Sequence, residues 1–398
     1  MSARSSKRVA SRTPRGKSGV RAAAAAKPAV ASRRTASEPP STILLGTRKG
    51  LVVLARKAGV WRVKRHAWLG VPVVYACVDA RTSTWWLALD HGHWGSKLAR
   101  SADGGRTWTE VAPPKYPDGA EVKAGEPATL KYIWTIQPGG AEERGRLYLG
   151  TQPGGLFTSD DDGASWQLVD ALWNHPSRLA GNWFGGGRDQ AAIHSVLVDP
   201  RDARRVLVGV SCAGVFETLD GGATWTPRNT GLRSDFMPDP TGDIGHDPHF
   251  VTWSAANPDV LWQQNHCGIF RSTDGARSWS ACSKKGAVVH FGFAIAADER
   301  DPAQAWVVPA VADECRVAPG GKLVTAHTRD GGKTWKTATR GLPQRDVYDV
   351  VYRHALDQRA GTLCFGSTTG NVYVSDDRGA AWTCVANHLP PVYSVRFA

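Results

Sequence analysis

Seven of the twelve histidines in this chain fall in short stretches rich in Gly, Asp and Arg. His91 and His93 lie in LDHGHWGSK beside Trp94, and His194 ends NWFGGGRDQAAIH, which also holds Arg188 and Asp189. His246, Asp247 and His249 share DIGHDPHF, His266 sits in QNHCG, and His290 in VVHFG. VADECRVAPGG adds Asp313, Glu314 and Arg316. Neutral imidazoles beside carboxylates suit two chemistries near neutral pH, metal ligation and proton transfer. His194, His246, His249 and His266 are the candidate ligands of a divalent metal, although no spacing matches a zinc signature. Asp189, Asp247, Asp313 and Glu314 are the candidate general acids and bases, a pair of carboxylates being what glycoside hydrolysis uses. Arg188 and Arg316 suit a ligand that carries an anionic group. Each residue also has a plainer role: loop histidines cap turns, loop carboxylates pair with arginine, and Cys212 and Cys267 fill small buried spaces as readily as they act as nucleophiles. GGGR at 185–188 precedes no helix, which weakens a phosphate-loop reading.

What brings such scattered stretches together is an internal repeat. The octapeptide Ser/Thr-x-Asp-x-Gly-x-Ser/Thr-Trp occurs complete at Asp103, Asp161, Asp220 and Asp330. It is worn at Asp274, where Ala276 replaces the glycine, and at Asp377, where Ala381 precedes the tryptophan. A seventh, degenerate copy ends at Trp61, eleven residues after Gly50, with Arg56 in the Asp position. Periods near 50 residues indicate a propeller or solenoid rather than separate domains.

Within each unit the pattern is short apolar strands between Gly-rich turns, four per unit, as in one propeller blade. First strands are read in YACVDA, YIWTIQP, HSVLVDP, FVTWSAANP, FGFAIAAD and VYDVVY at 347–352. The body enters at TILLGTRKGLVVLARKAGVWRV with no first strand, and VYSVRFA supplies one with nothing after it. The expectation is an all-β, seven-bladed β-propeller over residues 42–398, closed by Val392–Phe397 as the inner strand of the Trp61 blade. Alternation of strand direction puts the octapeptide turns on one face. The loops holding His91, His93, Trp94, Arg188, His194, His246, His249, His266, His290 and Arg316 fall on the other, as the expected ligand-binding set in a concave mouth. His194, His249 and His290 are expected nearest the axis.

The octapeptides resemble Asp-boxes, the bacterial neuraminidase repeats (BNR) of sialidases and of the sortilin ectodomain, and the resemblance covers residues 43–398. It implies that Asp103, Asp161, Asp220, Asp274, Asp330 and Asp377 are structural and lie away from the ligand face. A sialidase would carry a Phe/Tyr-Arg-Ile-Pro segment near its N-terminus. The early arginine here, Arg48 in GTRKG, departs from that pattern, so sialidase activity is not expected. Two functions stand: a propeller that binds a small or extended ligand (a small molecule, glycan or peptide, with an anionic group suited to the arginines), or a glycosidase-like or metal-assisted hydrolase or lyase using the same mouth.

Charge is uneven. Residues 1–40 carry ten Lys/Arg against Glu38, which leaves only +4 of the net +13 for the remainder. Residues 1–41, rich in Ala, Ser and Pro, are expected to be a disordered tail able to touch nucleic acid or anionic surfaces. The tail has no apolar stretch of about 7–15 residues after its basic start, so no signal peptide is read. Seven scattered cysteines without a CxxC pair argue against a disulfide framework and fit a reducing compartment. A cytoplasmic monomer without a membrane span is the expectation.

Overall fold

The structure is a computed structural model that describes residues 39–186 and 188–398. The expectation of a disordered tail therefore lies outside the described residues, apart from its last few positions. Seven four-stranded antiparallel sheets account for nearly all regular structure. Taking each blade by its first and second strands, they are Val73–Asp79 and Thr84–Asp90, Tyr132–Pro138 and Leu147–Gln152, Ile193–Val198 and Val206–Val210, Pro248–Ser254 and Asn257–Asn265, Gly292–Ala297 and Ala305–Pro309, and Leu356–Arg359 and Thr362–Gly366. The seventh joins the two ends of the body: Val392–Phe397 pairs antiparallel with Thr42–Thr47, which continues into Gly50–Lys57 and Val60–Ala67. First strands of neighbouring blades touch one another all the way round, so the chain is a closed seven-bladed β-propeller. Between blades the core is apolar. Trp86, Trp262, Trp306, Phe157, Phe216, Phe270 and Phe365 are almost fully buried there, and such aromatic side chains supply the largest burial per residue.

The octapeptide turns show why their residues recur. In the copy at Asp161, Oδ1 accepts the Ser165 N–H (2.9 Å) and the Ser159 hydroxyl (2.8 Å), while Oδ2 accepts the Ser165 hydroxyl (2.6 Å). The Ser159 hydroxyl oxygen in turn accepts the Gly163 N–H (2.8 Å). Hydrogen bonds from Ser165 hold the Asp161 carboxyl down to about 2. The glycine site needs a positive φ; Ala276 adopts it too, at φ 69°, and keeps its N–H bond to Ser272. The tryptophans reach across blades. The indole N–H of Trp166 donates to Ala112 O, that of Trp279 to Arg228 O, and that of Trp335 to Cys282 O. Each accepting residue directly follows the outer strand of the preceding blade. While the Trp225 indole N–H donates within its own turn, to Gly222 O (3.2 Å), these three tryptophans staple neighbouring blades together. The degenerate copy does the same by charge, with Arg56 forming two bonds to Asp376 of the preceding blade (3.0 and 2.7 Å).

One strand assignment is corrected. VYDVVY at 347–352 is not a strand; the inner strand of that blade is Leu356–Arg359. Val347, Val350 and Val351 are buried all the same, so their apolar spacing reflects packing of an irregular segment. Its backbone bonds go to Gly321 O, to the Thr368 hydroxyl and to the Thr368 N–H instead of to a ladder. No helix among the described residues is long and apolar enough to cross a membrane.

Candidate functional site

A recurring irregularity aims side chains at the mouth. Six of the seven inner strands carry a bulge near the end facing it, where one strand-pairing step takes an extra residue: Tyr393, Val74, Trp134, His194, His249, and the Phe293–Ala294 pair. A bulge re-aims the extra side chain out of the ladder's alternation. Tyr393, Val74, Trp134, His249 and Phe293 all line one cavity of about 880 Å³ over the centre of the ring. That volume is within the range of small-ligand sites. The long connections after Trp166 and Trp225 contribute Phe184, Gly186, Arg188 and Gln190, and Phe236, to its walls. Gly186 passes so close to Cys212 that a Cβ there would overlap the thiol sulfur.

Of the residues expected in the mouth, His91, Arg188, Asp247, His249, His266, Asp313, Glu314 and Arg316 line this cavity. The others do not. His93 and Trp94 pack edge-on against each other outside it, with Trp94 70 % exposed. Asp189 is exposed and does not line it. His290 bonds to the Ser283 hydroxyl (3.0 Å) outside the cavity and so is not near the axis. His246 is a loop brace, its ring nitrogens bonded to Gly242 O (2.7 Å) and the Ser234 hydroxyl (2.9 Å). His194 is fully buried beneath the site and bonds to the Ser195 hydroxyl (2.9 Å). Burial, with the fields of Arg353 and His354, holds His194 well below its ordinary range, so it is neutral. The expected four-histidine metal set is therefore split. His249 and His266 share the cavity; His194 and His246 do not line it.

Three ligating groups do converge. Asp247, one residue before the Pro248–Ser254 strand, points Oδ2 toward His249 Nε2 (3.4 Å) and His266 Nδ1 (3.7 Å). Its Oδ1 accepts the Cys212 N–H (3.2 Å). His249 donates Nδ1–H to Gly292 O (2.6 Å) and stacks on Phe293 at 4.8 Å. Burial pushes the Asp247 carboxyl up, but its contacts with the two imidazoles and the field of Arg353 prevail and hold it well below its usual range. Contact with Asp247 raises His266 against the opposing effect of burial.

The other wall joins Arg188 to residues that the sequence reading did not offer as ligands. Arg353 lies over Trp134 at 4.7 Å, and Arg188 over Tyr132 at 4.2 Å and Trp134 at 5.3 Å. Arg48, Tyr352 and Tyr393 complete that side. Burial pulls Arg353 down to about 10, so it is charged at neutral pH. Its Nη1 is buried without a hydrogen-bond partner. Arg316, by contrast, is paired with Asp313 (2.5 Å).

No family model matches the chain. A xyloglucanase of Paenibacillus sp is 28 % identical over 142 residues, covering 32 % of this chain and 13 % of that protein. The xyloglucanase Xgh74A of Acetivibrio thermocellus is 26 % identical over 162 residues, covering 35 % and 18 %. The matched part of the chain thus spans less than a fifth of these relatives' length. Among solved structures, a GH74 enzyme of Niastella koreensis superposes with TM-score 0.54 at 16 % identity, over 87 % of this chain and 55 % of that one. An ancestral GH74 enzyme gives 0.56 at 14 %, over 87 % and 40 %. At these identities the likeness is one of fold, a β-propeller with repeated blades.

Proposed function

We propose that the mouth binds a carboxylate-bearing ligand, gripped by Arg48, Arg188 and Arg353 and laid against Tyr132, Trp134, Tyr352 and Tyr393. One observation carries this reading. The three arginines line one cavity, two of them lean on the same indole, and none forms an ion pair among the described residues. Gathering like charges in a half-buried site costs free energy that an anion would offset, and the guanidinium fork matches a carboxylate in two-pronged fashion. The chain is read as an Asp-box propeller on the geometry of its octapeptide turns. All seven cysteines are free, which suits a cytoplasmic setting. Calorimetry with an oligogalacturonide against a neutral xyloglucan oligosaccharide tests the site. The acidic oligomer should bind in a salt-sensitive way, and Arg188→Ala should weaken it by roughly tenfold or more. Equal binding of the neutral sugar, or no effect of Arg188→Ala, would refute it.

A second reading is hydrolysis of a glycan. It is favoured by the xyloglucanase relatives and by Asp247, Asp313 and Glu314 lining the same cavity. Release of reducing ends from xyloglucan that Glu314→Gln abolishes would select it.

A further inference from the structure

We propose that Asp247, His249 and His266 form a mononuclear site for a divalent transition-metal ion, opening onto the mouth. One ligating atom from each lies within 4.8 Å of the others. The separations favour a shared centre over direct bonding. Asp247 Oδ2 stands 3.4 Å from His249 Nε2 and 3.7 Å from His266 Nδ1, beyond the 2.7–3.2 Å of a good N–H···O bond. A tetrahedral ion with ligands at about 2.0–2.1 Å separates them by roughly 3.3–3.5 Å. The surroundings orient the ligands as metal sites do. Gly292 O can only accept, so His249 carries its proton on Nδ1 and presents the Nε2 lone pair inward. The Cys212 N–H occupies Oδ1 of Asp247 and leaves Oδ2 for an ion. Phe293 stacks on His249 and Phe236 packs edge-on against His266, fixing both rings.

Two imidazoles and one carboxylate suit zinc, iron, cobalt or nickel rather than calcium or magnesium. Three protein ligands leave at least one coordination position open, and all three residues line the cavity. The charge around them is mixed: Asp313 and Glu314 act favourably on a cation near His266, and Arg353 opposes. The open position would therefore receive an anionic donor, but binding of the ion itself does not depend on the arginine reading above.

The test uses untagged full-length protein stripped with a chelator and titrated with Co(II), followed by visible absorption, and with Zn(II), followed by calorimetry. Residues 1–40 contain no His or Cys to compete. The expected result is one ion per chain, weakened at least about tenfold by His266→Ala and by Asp247→Asn. His290→Ala, outside the cavity, should leave metal affinity unchanged, and the oligogalacturonide titration above reports the anion site by itself, so failure of the anion site and of the metal site are read separately. His266 is half-buried, and circular dichroism of His266→Ala confirms that the fold persists. Absence of stoichiometric Co(II) and Zn(II) uptake by the wild type, or uptake indifferent to both cluster variants, would overturn the proposal.

Discussion

His354 offers a direct measure of how the centre of the ring responds to protons. The residue is 3 % exposed. Its Nε2–H donates to His194 O (2.8 Å), and its ring sits edge-on between Tyr75 at 4.9 Å and Phe250 at 5.3 Å. Burial, then the fields of Arg396 and Arg353, holds it well below the ordinary histidine range. The folded state therefore keeps it neutral, while the unfolded chain takes up a proton below about pH 6.5. A folded-state pKa that is depressed contributes stability that is present above the unfolded value and lost as pH falls. The loss approaches about 1.4 kcal/mol per pH unit, or about 2 kcal/mol between pH 7.5 and 5.0. His354→Gln keeps an amide donor for His194 O but has no proton to gain. At pH 7.5 it should cost on the order of 1–2 kcal/mol through lost ring packing. At pH 5.0 the gap between wild type and variant should shrink by about 2 kcal/mol, because only the wild type pays the protonation term. Urea unfolding of both proteins at pH 7.5, 6.0 and 5.0 reads this directly. His194 is present in both and largely cancels. A gap that is constant or widens toward acid would refute a neutral, buried His354.

Two further predictions concern the scaffold. Removing 392–398 takes away the inner strand of the Trp61 blade and exposes the Thr42–Thr47 edge, so soluble yield should collapse and urea unfolding should lose its single transition; a deletion protein that melts like the wild type would contradict closure by this strand. Asp161→Ala strips the turn of its acceptor and should lower the melting temperature while oligogalacturonide and Co(II) affinities stay unchanged, since the turn lies on the opposite face; a folded Asp161→Ala protein with normal melting but lost binding would place the site wrongly.

The ring was legible because its signal is periodic. Asp and Gly recur for backbone reasons, so the octapeptide turns follow from them without reference to tertiary context, while Trp recurs largely for contact with the neighbouring blade. VYDVVY misled because a buried irregular segment and a buried strand bury the same valines, and periodicity carries no information about where the backbone bonds go. Sorting loops by face placed His91, Arg188, Asp247, His249, His266 and Arg316 at the mouth. It could not separate residues that face the cavity from those that brace the loops, as His246 does through Gly242 and Ser234. Trp134 and Tyr393 were missed because a bulge breaks the alternation by which a strand residue is assigned to a face. A signal was present: an aromatic or histidine recurs one or two positions into successive inner strands, at Tyr393, Trp134, His194, His249 and Phe293. Arg353 had no such signal, since it follows an apolar run that resembled a strand.

The pairing of Val392–Phe397 with Thr42–Thr47 also sets a timetable for synthesis. These partners are separated by about 350 residues of chain, and at roughly 5–20 residues per second the ribosome needs about 20–70 s to deliver the second after the first. Throughout that interval Ile43, Leu44 and Leu45, fully buried once the ring is shut, belong to a strand with one side unpaired. A nascent chain that has completed six blades is still an open crescent with a free edge at either end, the form in which pairing with a neighbouring polypeptide competes best. Chaperone demand for the ring should accordingly persist until residues 392–397 are made, and polysome-bound chains stalled just short of residue 392 should be the species that chaperones and proteases hold longest.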